Sequence, residues 1–135
     1  MLSRMLGGLL VCLGLFVTGC STGSGTPAGP SSPTARSAPS WAAGMATVRE
    51  ADLPAEARAT LRRIDAGGPF PYAKDGTVFG NFEGELPEEK RGYYHEYTVR
   101  TPGERDRGAR RLVTGSGGET YYTDDHYESF KAVLR

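Results

Sequence analysis

The chain has 135 residues, of which 38% are hydrophobic, and this length accommodates one folded domain. It carries 16 basic and 16 acidic side chains; Arg4 and Arg36 are the basic residues before position 46, so residues 46–135 carry 14 basic against 16 acidic groups. This balance excludes a broad basic surface, on which non-specific binding to nucleic acid depends. Any such binding must come from a local cluster of basic side chains.

The first 19 residues predict an export signal. Arg4 and the amino terminus are positive, and residues 6–17 form an apolar run of 12 residues. A membrane-spanning helix needs about 20 apolar residues, so this shorter run fits the core of a signal peptide. It ends in Val17-Thr18-Gly19-Cys20, which resembles a bacterial lipobox. We therefore predict a signal peptide over residues 1–19 and a lipid on Cys20 at the outer face of the bacterial cell membrane. The alternative is ordinary secretion with cleavage nearby.

Residues 20–45 begin with the lipidated cysteine and are dominated by Ser, Thr, Gly, Pro and Ala. Such a composition has too little apolar surface to fold, so this segment is predicted to be a disordered tether. Trp41 is its one bulky aromatic residue and is given no role. The folded domain is expected over residues 46–135, and both cysteines of the chain lie before it. The domain must therefore fold without a disulfide.

The start of this domain predicts one helix of about three turns. Asp52 and Pro54 are typical of a helix start, and the pair Gly67-Gly68 is typical of a helix end. Between these signals, apolar residues recur at helical spacing. They are Leu53, Ala57, Leu61 and Ile64.

After residue 76 the hydrophobic period becomes two, which indicates strands separated by short turns. The predicted strands are Thr77–Phe79, Tyr93–Val99, Arg110–Thr114, Tyr121–Thr123 and Phe130–Leu134. Short turns between consecutive strands favour an antiparallel meander. We therefore predict an α+β fold in which the N-terminal helix packs on one face of a twisted antiparallel sheet.

Alternation within the strand Tyr93–Val99 separates Glu96 from most of its aromatic neighbours. The set expected to pack under the helix is Tyr93, His95, Tyr97 and Val99. Glu96 shares the opposite, open face with Tyr94 and Thr98. A carboxylate at this position is a candidate catalytic group; the alternative is a solvated residue of the sheet.

The hairpin that follows carries a run of arginines. Residues 103–111 contain four, which are Arg105, Arg107, Arg110 and Arg111. Arg111 shares a face with Val113, and if this is the face of Glu96, a guanidinium lies beside the carboxylate. Guanidinium forks match the geometry of phosphate. The alternative is a surface charge run partly balanced by neighbouring acidic residues.

His126 is predicted to lie in the turn between the last two strands, where it cannot be a core residue. A loop histidine is a candidate proton donor near neutral pH, and the preceding Asp125 is a candidate neighbour that would favour its charged form. The alternative is a surface residue without a role. Two separated histidines and no thiol in the domain fall short of a transition-metal site, so no metal is expected.

Five motifs in order carry a family resemblance. The first three are Gly68-Pro69-Phe70-Pro71-Tyr72, Val78-Phe79-x-Asn81-x-Glu83 and Tyr93-Tyr94-His95-Glu96-Tyr97-Thr98-Val99. The last two are Thr101-Pro102-Gly103-x-Arg105-x-Arg107-Gly108-x-Arg110-Arg111 and Tyr121-Tyr122-Thr123-x-Asp125-His126-Tyr127. Together they resemble the microbial guanyl-specific ribonucleases, the broad family of barnase and the secreted Streptomyces enzymes. The resemblance runs from about residue 53 to residue 130.

This resemblance implies a division of catalytic roles. Glu96 would be the general base and His126 the general acid, while Arg107 and Arg111 hold the phosphoryl group with help from Tyr127. The ribose 2′-OH would attack the adjacent phosphorus to give a 2′,3′-cyclic phosphate, which water opens to a 3′-phosphate. No metal or cofactor is implied, and DNA, which lacks the 2′-OH, could not be cleaved.

The resemblance also implies that the segment Phe79 to Glu83 forms a guanine pocket. Glu83 would accept hydrogen bonds from N1 and N2 of the base, and backbone amides around Asn81 would meet O6. Relatives of this type have a long polar residue where Gly80 stands and an arginine where Phe82 stands. We therefore expect weaker affinity or selectivity for the base. The disulfide that joins the ends of their domain is absent here.

The sequence thus predicts an exported, metal-independent endoribonuclease that acts on single-stranded RNA as a monomer and contacts the membrane through its lipid anchor alone. A lipoprotein that binds RNA or nucleotides without cleaving them is the alternative from another class. It is disfavoured because pure binding needs no acid–base pair. The same chemistry could serve nutrient scavenging or an antibacterial toxin, whose partner would be a barstar-like protein inhibitor.

Overall fold

The structure is a computed structural model that describes residues 37–135. The predicted signal peptide, Cys20 and most of the predicted tether lie outside this range. Within it, none of the helices is both long enough and apolar enough to cross a membrane.

The predicted helix is confirmed as α1, Ala55–Ala66. Pro54 precedes it in an extended conformation and presets the backbone for the first turn. Gly67 ends it in the left-handed region with φ 74°, which glycine adopts without steric cost. The amides of Gly67 and Gly68 donate to the carbonyls of Ile64 and Arg63, at 3.1 and 2.8 Å. These two bonds satisfy carbonyls that the end of a helix leaves unpaired.

Six strands form one sheet in the order β1-β6-β5-β4-β3-β2. They are β1 Ala46–Arg49, β2 Thr77–Phe79, β3 Tyr94–Thr98, β4 Arg111–Gly115, β5 Thr120–Thr123 and β6 Lys131–Leu134. The antiparallel meander from β2 to β6 is confirmed. The α+β class is therefore as predicted.

The prediction of a purely antiparallel sheet is wrong, because β1 pairs in parallel with β6, with Val48 opposite Val133. The sequence signals did not indicate β1. It is a four-residue edge strand whose residues are mostly exposed, so it lacks the alternation that marks a half-buried strand. Its partner is the last strand of the chain, and this pairing closes the sheet on the side away from β2.

The folded part of the chain begins before residue 46, where we predicted the domain to start. Ser40–Ala42 forms a turn of 3-10 helix, and Ala42 is only 1% exposed. The Trp41 ring meets that of Tyr121 edge to face, with centroids 5.4 Å apart. Trp41 therefore belongs to the fold, although the composition around it is that of a tether.

Two apolar clusters lie on opposite faces of the sheet. The helix-side cluster is Leu53, Ala57, Leu61, Val99, Leu112, Tyr122 and Val133, with Tyr97 packed against it. The far-side cluster is Ala42, Leu86, Tyr94, Val113, Tyr121, Phe130 and Ala132. The positions of Tyr97 and Val99 under the helix are thus confirmed.

The expectation for Tyr93 is wrong. It precedes β3 and so leaves the alternation, and it packs against the far-side cluster with its ring 4.9 Å from that of Tyr94. The face predicted to be open is also partly covered, since Tyr94 is only 3% exposed. Glu96, two residues further along the strand, lies where this covering ends.

Candidate active site

The register of β3 and β4 brings a carboxylate and a guanidinium onto one face. Glu96 lies opposite Val113, and Thr98 lies opposite Arg111. Residues opposite each other in an antiparallel pair share a face, so Arg111 is on the face of Glu96. The conditional prediction for Arg111 is therefore confirmed. Arg111 is buried, with 3% of its surface exposed.

Arg107 binds one oxygen of Glu96. Its Nη2 donates to Oε1 over 3.2 Å, and its Nε donates to Thr98 Oγ1 over 3.0 Å. The side chains of Arg107 and Glu96 are 28% and 13% exposed, so the pair is partly shielded from water. Thr98, which we had not assigned to the site, orients Arg107. The sequence signal for Thr98 was its position two residues after Glu96, which places both side chains on the same face of β3.

Tyr127 binds the other oxygen of Glu96. Its hydroxyl donates to Oε2 and accepts a hydrogen bond of 3.1 Å from Arg111 Nε. Burial raises the pKa of Tyr127 to about 12, and the hydrogen bond to Glu96 acts in the same direction. The phenol therefore keeps its proton at neutral pH and acts as a hydrogen-bond donor. Glu96 is held on both oxygens, by Arg107 on one side and Tyr127 on the other.

The Arg111 guanidinium is fixed from three directions. Nη1 donates to the carbonyls of Arg107, Gly108 and Arg110 over 3.3, 2.9 and 2.8 Å. The central carbon lies 5.7 Å from the centre of the Tyr127 ring. Among residues 37–135, no hydrogen bond involves Nη2 of Arg111, so this corner of the fork is available to an anion.

His126 lies in the turn after β5, as predicted, and is exposed. His126 and Tyr127 both adopt the left-handed region, with φ 59° and 74°. Two consecutive non-glycine residues in this region are strained and must be held by their surroundings. The amide of His126 donates to the Ala109 carbonyl over 3.1 Å. This bond ties the turn to the arginine-bearing loop.

Thr123 and Asp125 hold the same turn. Thr123 Oγ1 accepts from the Tyr127 amide over 3.2 Å and donates to Asp125 Oδ1 over 2.7 Å. The amide of Ser129 donates to Asp125 Oδ1 over 2.9 Å, and its hydroxyl donates to Oδ2. Hydrogen bonds from Ser129, followed by those from Thr123 and the backbone, lower the pKa of Asp125 to about 2. The carboxylate of Asp125 therefore serves the turn, and the contact with His126 that we had considered is not made.

Two of the four arginines, Arg107 and Arg111, line one open depression of about 600 Å³ together with His126. Its lining residues are Glu104, Asp106, Arg107, Gly108, Ala109, Arg111 and His126. Arg105 and Arg110, the other arginines of the run, do not line it. The structure thus separates the four arginines into two that face the depression and two that do not.

The predicted base-binding segment contacts Tyr127, whose hydroxyl accepts a hydrogen bond from Arg111, a residue that lines the depression. The Phe79 ring, at the end of β2, stacks on the Tyr127 ring with centroids 5.1 Å apart and planes 24° apart. Asn81, with φ 51°, exchanges side-chain hydrogen bonds of 2.9 and 3.1 Å with the backbone of Leu86 and so closes the loop. Glu83 is exposed on this loop, and Phe82 is 98% exposed.

The fold and site define a class: an α+β protein whose site combines a partly buried carboxylate, two arginines and an exposed histidine, the groups that acid–base cleavage of a phosphodiester needs. No group of three or more His, Cys, Asp or Glu side chains that could hold a metal ion occurs among residues 37–135. A family model described as ribonuclease matches residues 36–134. The chain belongs to the ribonuclease family.

Relatives of known activity cover most of the folded part. Guanyl-specific ribonuclease St of Saccharopolyspora erythraea is 60% identical over 91 residues, which are 67% of this chain and 90% of that protein. Guanyl-specific ribonuclease Sa of Kitasatospora aureofaciens is 54% identical over 88 residues, 64% of this chain and 92% of that protein. Both relatives are therefore matched along nine-tenths or more of their own length.

Solved structures of ribonuclease Sa2 resemble this chain in fold as well as in sequence. One, of complexes with mononucleotides, has a TM-score of 0.67 and 49% identity, and covers 67% of this chain and 95% of that one. Another, with guanosine-2′-cyclophosphate, has a TM-score of 0.64 and 50% identity, with coverages of 67% and 96%. The α+β ribonuclease fold predicted from the motifs is thereby confirmed.

Proposed function

We propose that this chain is a guanyl-specific endoribonuclease that cleaves single-stranded RNA after guanosine. The observation that carries the proposal is the setting of Glu96. Its carboxylate is 13% exposed and is held between Arg107 and Tyr127, next to Arg111 and on the face that leads to the depression lined by His126. A protein that only bound RNA would gain nothing from a carboxylate held beside the arginines that are to receive the phosphate, because the two negative charges repel each other.

In the first step Glu96 takes the proton of the ribose 2′-OH, and the 2′ oxygen forms a bond to the adjacent phosphorus. The bond from phosphorus to the 5′ oxygen breaks, and His126 gives that oxygen a proton. The product is a 2′,3′-cyclic phosphate. Water then adds to it with the two roles reversed, which yields a 3′-phosphate and restores both groups.

Arg107 and Arg111 stabilise the negative charge that grows on the phosphoryl oxygens. Their positions are fixed before substrate binds, by Thr98 and by three backbone carbonyls respectively. Preorganised donors of this kind need no rearrangement during the reaction. Because the reaction uses only these groups and the 2′-OH, we expect cleavage to proceed without added metal.

Selectivity for guanine is assigned to the loop that Asn81 closes. Glu83 is an exposed carboxylate on this loop, and a carboxylate that accepts two hydrogen bonds matches the N1 and N2 donors of guanine. Guanyl-specific ribonucleases St and Sa, to which the chain is similar, bear this preference in their names. Glu83 would supply it here.

The test uses short synthetic RNAs that contain a single guanosine, with excess chelator present. We expect cleavage on the 3′ side of the guanosine, a cyclic phosphate that appears before the 3′-phosphate, and no cleavage when the guanosine is replaced by 2′-deoxyguanosine. Cleavage of the deoxy substrate, or a strict requirement for a divalent metal, would contradict the mechanism. RNA binding without any cleavage would support the non-catalytic alternative.

We also propose that the protein is exported and anchored by lipid on Cys20, because the apolar run and the lipobox-like sequence stand in the order that lipoprotein processing needs. Two or more acyl chains give stable anchoring. Cys20→Ser is expected to move the protein from the membrane fraction to the medium or to leave it unprocessed. A wild-type protein found wholly in the medium, with residue 20 removed, would contradict the anchor.

A further inference from the structure

The loop between β3 and β4 carries a carboxylate where the phosphate of the substrate is to be held. Asp106 lines the depression together with Arg107, Arg111 and His126. A negative charge at this place repels a phosphate, so by its charge alone the residue weakens the site. The hydrogen bonds of the loop indicate a different role for Asp106.

Asp106 closes a turn within its own loop. Its Oδ1 accepts a hydrogen bond of 2.8 Å from the amide of Gly108. An aspartate that accepts from the amide two residues later forms an Asx turn, which restricts the backbone between the two residues. The residue enclosed by this turn is Arg107. The carboxylate therefore sets the course of the backbone at a phosphate-binding arginine.

Gly108 holds the other end of the turn. Its φ is 60°, and a Cβ built on it would come within 2.6 Å of Thr101 Oγ1. A residue with a side chain therefore cannot take this position unless the loop or Thr101 moves. The backbone of Gly108 is thus fixed twice, at its amide by Asp106 and at its Cα by the close approach to Thr101.

The carbonyl groups of the same turn hold Arg111. Its Nη1 donates to the carbonyl oxygens of Arg107 and Gly108 over 3.3 and 2.9 Å. Arg111 is 3% exposed, and a buried donor that loses its acceptors must find others or remain unsatisfied. The orientation of the guanidinium therefore depends on the shape of the turn.

We propose that Asp106 is a positioning residue, whose turn with Gly108 fixes Arg111 for the phosphate. The inference rests on the proposed function. The role requires the hydrogen-bond acceptor of the Asp106 side chain, whereas its negative charge opposes phosphate binding. Acceptor and charge can be removed separately, and the two removals have different expected effects.

Two variants separate the acceptor from the charge. Asp106→Asn removes the charge and keeps an oxygen that can accept from the Gly108 amide, while Asp106→Ala removes both. Because the two variants carry the same charge, a difference between them reports the turn.

The first measurement is the cleavage of guanylyl-3′,5′-uridine by the full chain. We expect kcat to be roughly 5- to 50-fold lower in Asp106→Ala than in Asp106→Asn, the range that one lost hydrogen bond supports. KM should differ between them by less than about threefold. Asp106→Asn should match or exceed the wild type, since the turn remains and the repulsion is gone. Equal kcat in Asp106→Ala and Asp106→Asn would overturn the proposal.

The second measurement is the binding of inorganic phosphate, followed by nuclear magnetic resonance. Asp106→Ala should bind phosphate several-fold more weakly than Asp106→Asn, and equal affinities would contradict the positioning role. This measurement involves no cleavage, so a failure of positioning remains distinct from a failure of the ribonuclease function.

Glu104→Gln is the matched charge control. It removes a second carboxylate that lines the depression and leaves the turn intact, so it should not lower kcat. Gly108→Ala should lower kcat by displacing the same carbonyls, and it should add little in the Asp106→Ala background. All variants are compared at a temperature at which circular dichroism shows them folded, where a loss of stability alone leaves kcat unchanged. Fully multiplicative effects of the two changes would show that they act separately and would also overturn the proposal.

Discussion

The two faces of the sheet are built from the same strands but have different roles: one packs under the helix, and the other carries the candidate active site. On the helix side, Val99 and Leu112 are fully buried beneath α1. On the far side, the neighbouring Thr98 and Arg111 are just as inaccessible, yet they are polar and bonded to Arg107, Tyr127 and backbone carbonyls. Burial is therefore common to both regions, and hydrogen bonding distinguishes the site end of the far side from the apolar helix side.

The two regions owe their rigidity to different interactions. The helix side is held by non-directional apolar contact, which tolerates exchange of side chains of similar size. The site end of the far side, beside the far-side cluster, is held by hydrogen bonds with fixed partners, and a lost partner there leaves a buried charge or donor unsatisfied. Substitutions on the helix side should change stability, while substitutions at the site end of the far side should change chemistry.

The largest effect is expected from the proposed acid–base pair. Glu96→Gln and His126→Gln should each lower kcat/KM by roughly 10²–10⁴-fold, because each removes a proton-transfer group. The bell-shaped dependence of kcat/KM on pH should lose its acidic limb in the first variant and its basic limb in the second. Glu56→Gln, the same change on the helix, is the control and should leave the profile unaltered. Near wild-type rates in both site variants would exclude the proposed roles.

On the helix side, Leu61→Ala should cost about 2–5 kcal/mol of unfolding free energy, because Leu61 is completely buried on the inner face of α1. The measurement is urea unfolding followed by circular dichroism. Measured well below its melting temperature, the variant should keep kcat/KM within about threefold of the wild type. Arg58→Ala, on the exposed side of the same helix, should fall within about 0.5 kcal/mol of the wild type. A loss of activity in folded Leu61→Ala would show that the faces are not independent.

Tyr127→Phe tests the hydrogen-bonded region by the loss of a single oxygen atom. It removes the hydroxyl that bridges Glu96 and Arg111 and keeps the ring that stacks on Phe79. One hydrogen bond to a charged group corresponds to about 1.5–3 kcal/mol, so kcat should fall roughly 10- to 100-fold. KM should change little, because the ring remains. A variant that changed KM alone would place Tyr127 in base binding instead.

The smallest effect concerns the strained turn of His126 and Tyr127. The pKa of Asp125 is lowered from 3.8 to about 2, so its ionised form stabilises the fold above about pH 4, and this contribution is lost as the pH falls through 2. After allowance for solvent screening, Asp125→Asn should cost about 1 kcal/mol at pH 7. Urea unfolding of both proteins from pH 7 to pH 2 should show this difference shrinking with acid. If the difference in unfolding free energy stayed constant with pH, the charge of Asp125 would not be its cause, and the effect would come from the shape of the turn.

Local physical signals in the sequence determined the elements. Pro54, the spacing from Leu53 to Ile64 and the glycine pair Gly67-Gly68 act within a few residues, and α1 follows them. Alternation likewise gave the meander from β2 to β6. It also placed Tyr97 and Val99 on one face and Glu96 on the other, because side chains of a strand point to opposite faces in turn.

Contacts between distant parts of the chain were decided by the tertiary structure. Trp41 reaches Tyr121, and β1 pairs with β6, although neither partner carries a local mark of the other. The order of the motifs singled out Arg107 and Arg111 by resemblance. Strand alternation by itself pointed to Arg111 alone and did not distinguish Arg107 from Arg105 and Arg110, since these three stand in one charged run.

The same holds for the details of the site. The hydroxyl of Tyr127 binds Glu96 across 31 positions of sequence, and Thr98 and Asp125 gain their roles from partners that folding brings to them. The ring of Phe82 lies beside Gly80, and no periodicity of the loop sequence indicated that contact. Periodicity is a property of neighbouring residues, whereas a site is a set of distances between residues that only the folded chain brings together.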